Sequence, residues 1–140
     1  MAKSIESTAC HCLKLRRGAS NVVAYYDTAL SSSGVTAQQY ALLYQLSLQE
    51  GCNVRTLAEA CELDRSTLAR SLKPLLNRGL IEDRKKENSR DSSMWLTESG
   101  SRVCQQAAEL WAQAQARFEE LLGSERVQLL EETLVLLQQL

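Results

Sequence analysis

A chain of 140 residues, 44% hydrophobic and 24% charged, is long enough to bury a core as one domain, and its net charge of −1 gives no overall attraction to nucleic acid. One Pro and six Gly argue for a mostly helical chain and against a turn-rich β protein. No stretch approaches the roughly 20 uncharged apolar residues of a membrane span. The N-terminal MAKSIESTACHC lacks the apolar segment of a signal peptide, so a cytoplasmic protein with no membrane partner is expected. Five cysteines are an odd number, which in a reducing compartment argues against a structural disulfide framework.

A first helix is expected from about Thr8 to Leu30, with Leu15, Ala19, Val22, Val23, Tyr26, Ala29 and Leu30 on one helical face, ended by Ser31-Ser32-Ser33-Gly34. Thr36 and Gln39 form a capping box for a second helix, with Val35 and Tyr40 placed as a hydrophobic staple. A short third helix follows, capped by Asn53, with Leu57, Ala58 and Cys61 facing inward. Asp64 caps the fourth, Leu63 and Leu68 staple it, and Gly79 ends it. Pro74 lies inside this helix and predicts a bend or a distorted turn. Leu80-Ile81 and Ser93-Met94-Trp95-Leu96 read as two short strands joined by a charged loop. Thr97 caps a long fifth helix striped by Val103, Ala107, Leu110, Trp111, Ala114, Phe118, Leu121 and Leu122. Gly123-Ser124 breaks the chain before a sixth helix carrying Leu130, Leu134 and Leu137.

The small net charge hides an uneven distribution. Between Asp64 and Arg90 stand eight basic and four acidic residues, net +4, which leaves −5 on the rest of the chain. A short helix, a tight turn and a capped basic helix make a helix-turn-helix, and the charged hairpin after it makes a winged one. An α-helix fits the major groove with its N-terminal residues at the base edges. Arg65, Ser66, Thr67, Arg70 and Lys73 are the candidates on that helix. Arg84, Lys85, Lys86 and Arg90 are offered by the wing to backbone and minor groove. The competing readings are a helical interaction module without DNA binding and a metal-responsive regulator.

The segments TAQQYALLYQL, LAEACELDRSTLARSLKPLLNRGLI and LTESG together resemble the MarR (multiple antibiotic resistance) family of transcriptional regulators over nearly the whole chain. Where that family's wing reads D-x-R, this sequence has Asn88-Ser89-Arg90, keeping the arginine and not the acid. The resemblance implies a mainly α, six-helix winged helix-turn-helix in an intertwined homodimer. Residues 8–30 and 97–140 would form the dimerisation helices and 36–96 the DNA-binding part of a single domain 1–140. It also implies a repressor on near-palindromic double-stranded DNA, released by an oxidant or by a small lipophilic or aromatic effector. The apolar stripes of the first and last two helices point independently to a second chain, since one winged domain could not cover them.

Cys10-His11-Cys12 suggests a metal site at first sight. Residues on a helix advance about 100° each, which puts the two thiols on nearly opposite sides, and the spacing is not that of a zinc site. No metal ligand set and no cofactor is expected. Cys12 is the candidate redox sensor, with Cys10 or Cys104 as a partner thiol. The family's organic hydroperoxide-sensing branch is similar here, with a reactive cysteine early in helix 1 and tyrosines four and fourteen residues on. Tyr26 matches the second tyrosine, whereas Arg16 stands where the first would be. Fourteen helical residues rise about 21 Å, so Cys12 and Tyr26 of one chain cannot touch. Tyr26, Tyr40, Tyr44 and Trp111 are the candidate effector-pocket residues. With one histidine, and no nucleophile triad, paired carboxylates or phosphate-cradling loop, no enzymatic activity is expected.

Overall fold

The computed structural model describes residues 10–140. Its elements run α1 (His11–Leu30), a 3-10 turn (Ser31–Ser33), α2 (Ala37–Leu48), α3 (Val54–Ala60), α4 (Arg65–Asn77), β1 (Ile81–Asp83), β2 (Met94–Leu96), α5 (Glu98–Leu122) and α6 (Ser124–Leu137). The strands pair antiparallel with Ile81 opposite Leu96 and Asp83 opposite Met94. This is the mainly α winged helix-turn-helix with six helices that the sequence pattern predicts. The expected start of α1 at Thr8 lies outside the described residues. Among the described residues no helix is long and apolar enough to cross a membrane.

Local signals fix the helix starts. The Gln39 amide donates to Thr36 Oγ1 at 3.1 Å, and the Thr36 amide donates to Gln39 Oε1 at 3.0 Å. Val35 and Tyr40, the staple pair, are both buried. Asn53 Oδ1 accepts from the Thr56 amide at 2.8 Å, and Thr97 Oγ1 from that of Gly100 at 3.0 Å. The bend expected at Pro74 does not interrupt α4, which stays α-helical to Asn77. Pro74 is exposed and close to the helix end, so the missing donor costs one hydrogen bond where little of the helix remains to be displaced.

The core lies under the winged part. Leu30, Leu42, Leu43, Leu46, Leu57, Leu68, Leu75 and Met94 are fully buried. Outside it the apolar stripe of α1 is left largely uncovered within one chain. Leu15, Val22 and Val23 are exposed, Tyr26 and Ala29 are half-buried, and only Leu30 is buried. In α6 no residue is buried, and Leu129, Leu134, Val135 and Leu136 are each more than half exposed. The apolar faces read from the sequence are present, but one chain leaves them uncovered.

At Gly100, in the first turn of α5, a Cβ would stand 1.8 Å from the Leu80 carbonyl oxygen. That carbonyl accepts from the Thr97 amide at 3.1 Å, so the wing strand and α5 start are joined where no side chain fits. Gly100→Ala is expected to lower stability by about 1–3 kcal/mol, the usual cost of overpacking. A chemical denaturation series checks this, and a wild-type midpoint for the variant refutes the close approach.

Candidate nucleic-acid interface

The turn between α3 and α4 is built by the backbone. Glu62 adopts φ 54°, in the left-handed region, and the Leu63 amide returns to the Ala58 carbonyl at 3.0 Å. Leu63 is thereby half-buried, and Asp64 begins α4. Asp64 Oδ1 accepts from the Thr67 amide at 2.7 Å and from the Ser66 hydroxyl at 2.8 Å. These bonds, the Thr67 amide first, pull its carboxyl from the ordinary 3.8 to about 2.

Leu68, Leu72 and Leu75 point α4 into the core, which turns Arg65, Ser66, Arg70 and Lys73 to solvent. Thr67 is half-buried and lies 3.4 Å from the Arg70 guanidinium. Arg78, at the far end, donates to the Gly34 carbonyl at 2.7 Å and so belongs to the scaffold. In the wing, the Arg84 amide donates to the Ser93 carbonyl at 2.8 Å and the Ser93 amide to Asp83 Oδ1 at 2.9 Å, closing the hairpin. Lys85, Lys86 and Arg90 are exposed in the loop beyond. The Arg84 side chain is engaged within the wing itself. It pairs with Glu82 at 2.6 Å and lies 4.6 Å above the Trp95 ring.

The wing root is pinned to the helix-turn-helix. Met94 bridges to Cys52, its amide donating at 2.9 Å, and the Val54 amide donates to Ser92 Oγ at 2.9 Å. Arg55, one residue on, is exposed beside Arg65 and Arg90 along a cleft of about 190 Å³. Sequence reasoning missed Arg55. It lies outside the basic segment, and the only available signal was a cation just after the Asn53 cap.

The aromatic candidates gather elsewhere. Tyr26, Tyr40, Tyr44 and Trp111 line one cleft of about 470 Å³ between α1, α2 and α5, with Ala41 and Gln115. The Tyr40 ring centroid lies 6.2 Å from that of Tyr44 and 6.3 Å from that of Trp111. The Tyr26 hydroxyl donates to Gln115 Oε1. Burial pushes the Tyr26 and Tyr40 hydroxyls up, so both are neutral donors at neutral pH.

Cys10 and Cys12 are exposed at the start of α1, and Cys10 occupies its N-cap without capping it. Cys104 is buried in α5, and burial pushes its thiol up. The opposite end of α1 meets that part of α5, where Gln106 donates to the Ser32 carbonyl at 3.4 Å. Within one chain the structure does not bring Cys104 to Cys12. Cys52 and Cys61 are half-buried, with thiols likewise raised by burial. Among the described residues no group of three or more His, Cys, Asp or Glu is placed to hold a metal ion.

A helix-turn-helix with its basic first turn exposed, carrying a hairpin wing, defines a winged helix-turn-helix protein. The chain matches the MarR family over residues 35–90. It is 31% identical to the M. tuberculosis transcriptional regulator MosR, solved in complex with DNA, over 89% of this chain and 92% of that one, with a TM-score of 0.76. The PcaV transcriptional regulator from Streptomyces coelicolor is 28% identical over 93% of this chain and 96% of that one, with a TM-score of 0.78. PcaV in complex with its natural ligand aligns at 25% identity over 99% and 97%, also with a TM-score of 0.78. No curated protein sequence matches the chain. The chain belongs to the MarR family of transcription regulators.

The Asp64 cap predicts a pH dependence. Its carboxyl is held below the ordinary 3.8, so its contribution is complete above that value and is lost as pH falls through about 2. Asp64→Asn keeps a capping oxygen but does not titrate. Thermal melts from about pH 5 downward are expected to fall more steeply for wild type than for Asp64→Asn. Parallel profiles count against this assignment of the cap.

Proposed function

We propose that the protein is a homodimeric repressor that binds a near-palindromic double-stranded operator and releases it when a small lipophilic or aromatic molecule enters the α1–α2–α5 cleft. The observation that carries the DNA reading is that Arg65, in the first turn of α4, and Arg90 of the wing loop line one cleft, with Ser66 and Arg70 of α4 and Lys85 and Lys86 of the wing exposed to solvent. The helix is shaped for the major groove and the wing for the neighbouring backbone and minor groove. The likeness to MosR, solved in complex with DNA, supports the same reading. The uncovered apolar surface of α1, α5 and α6 supports a second copy, which would present two recognition helices to two half-sites. A dimer seated across a promoter represses by occupying it.

The cleft reading rests on four aromatic side chains around one opening and on the likeness to PcaV, solved with its natural ligand. None of the residues that line the cleft is charged, which favours a neutral or weakly polar occupant. Its α2 wall reaches the recognition helix through Gln38 Nε2, 3.5 Å from Ser71 Oγ, and through Arg78, which holds the Gly34 carbonyl just ahead of α2. A ligand that moves α2 thus acts on α4. A second trigger is favoured by the exposure of Cys12, the thiol that a peroxide reaches most readily together with Cys10. Peroxide would oxidise the Cys12 thiol to a sulfenic acid, its O–O bond breaking with release of water or an alcohol.

The protein is expected to sediment as a dimer of the 15.6 kDa chain and to bind its own upstream region with a steep salt dependence. Arg70→Ala and Arg90→Ala should each weaken that binding by about tenfold or more. Unchanged binding in both would favour a protein-interaction module. For the trigger, DNA release is measured with peroxide and with a panel of small aromatic compounds. Tyr40→Ala is expected to abolish a response to an aromatic compound, and Cys12→Ser a response to peroxide. A Cys12→Ser protein that answers peroxide like wild type removes the redox reading.

A further inference from the structure

We infer that Arg55 is a DNA-backbone contact, closing with Arg65 and Arg90 a cradle for the one phosphate group that the protein straddles between its recognition helix and its wing. The inference rests on the DNA-binding reading above and adds to it a residue and a ligand atom group. The sugar–phosphate strand is the wall between the major and minor grooves. A helix in one groove and a wing over the next therefore have that strand between them. Whatever side chain lies in the notch between helix and wing faces a phosphate.

In this protein the notch is the cleft of about 190 Å³ lined by Arg55 from α3, Arg65 from α4, and Arg90, Asp91 and Ser92 from the returning arm of the wing. Three guanidiniums and one carboxylate leave an excess of two positive charges there. None of the three arginines has an ion-pair partner within 4.0 Å among the described residues, whereas Arg84 and Arg102 are paired with Glu82 and Glu98. Three like charges around one small cleft repel each other until an anion enters. A tetrahedral oxyanion suits them, because guanidinium forks bind phosphate oxygens in pairs.

The cradle is also held in shape before DNA arrives. The Val54 amide donates to Ser92 Oγ at 2.9 Å, which ties the residue before Arg55 to the wing arm that carries Arg90. Asn53 caps α3 through the Thr56 amide at 2.8 Å, and Asp64 caps α4 through the Thr67 amide at 2.7 Å. The backbone at Arg55 and Arg65 is thereby held, and Arg90 stands two residues ahead of the Ser92 tie. A contact made to phosphate positions the protein and carries no sequence information.

The test compares wild type with Arg55→Gln on two labelled duplexes, one from the protein's own upstream region and one scrambled, across a salt series. Arg55→Gln is expected to weaken both by a similar factor, several-fold to about tenfold, and to reduce the slope of log K against log salt by a part of the roughly 0.9 that one neutralised phosphate contributes. The ratio between the duplexes should not change. A methylphosphonate scan should find one linkage per half-site whose neutralisation weakens wild type more than Arg55→Gln, in which Arg65 and Arg90 still face that phosphate. Arg102→Gln removes the same charge from its pair on α5 and should leave the slope as it is. Arg55→Lys, which keeps the charge, should restore the slope and only part of the affinity. If Arg55→Gln keeps the wild-type slope, or loses as much affinity as wild type does at every linkage, the cradle is wrong while DNA binding stands. The cradle also fails if inorganic phosphate, at constant ionic strength, protects the Arg55 side chain while DNA does not. Failure of wild type to bind either duplex removes the DNA reading and this inference with it.

Discussion

The face that carries α4 and the wing depends on the pairing between Met94 and the Gly51–Cys52 turn. The Gly51 amide donates to the Met94 carbonyl at 2.7 Å, and the Met94 amide donates to the Cys52 carbonyl at 2.9 Å. These bonds extend a two-stranded hairpin by one rung onto the segment that leads into α3. A free two-stranded hairpin is marginal in water. Here it is fastened at its root and buries Met94 in the core, so wing, α3 and α4 form one body. Trp95 packs against Gly51 on the outside of this joint and carries the Arg84 guanidinium on its other side. That joint brings the wing arm carrying Arg90 to the cleft it shares with Arg65.

The second organising element is α2. One side of it supplies Leu42, Leu43 and Leu46 to the core, and another supplies Tyr40 and Tyr44 to the aromatic cleft. Its N-terminus is held by the Asp27 carboxylate, which accepts from the Ala37 amide at 2.8 Å, and by the Thr36–Gln39 box. A single rigid helix therefore borders both the cleft and, through Gln38 and the Gly34–Arg78 contact, the recognition helix. Close-packed interiors transmit such displacements because they do not deform continuously. The coupling proposed between effector and DNA needs no longer pathway than this.

The legibility of the sequence was uneven, for physical reasons. Thr36, Asn53, Asp64 and Thr97 were readable as caps because a cap acts over three residues, and all four accept the expected amide. The two strands and the charged loop were readable for the same reason, since a hairpin is a local object. Along α1 the periodicity marks an apolar face that one chain leaves exposed, because amphipathicity says that a face wants cover without saying which chain supplies it. Arg84 looked like another wing cation. Its pairing with Glu82 and stacking on Trp95 depend on the hairpin register, which no count of charges contains. Arg55 was invisible because it joins the basic cluster through tertiary packing, ten residues before Arg65 in the chain.

The near-zero net charge is part of how such a surface could work. Between Asp64 and Arg90 the chain carries +4, and eight acids follow between Asp91 and the C-terminus, most of them on α5 and α6. At physiological ionic strength charges are screened beyond about 8 Å, so a duplex at the wing responds to the local arginines and lysines and not to the distant acids. A duplex approaching the α5–α6 side meets the opposite sign. The attraction to a polyanion is thus concentrated in one part of the chain, between Asp64 and Arg90. Non-specific binding grows with the number of phosphates neutralised, whereas specific binding needs only a few well-placed ones. A small cationic face built from fixed backbone positions favours the second over the first, which is the balance a regulator requires amid a large excess of competing DNA.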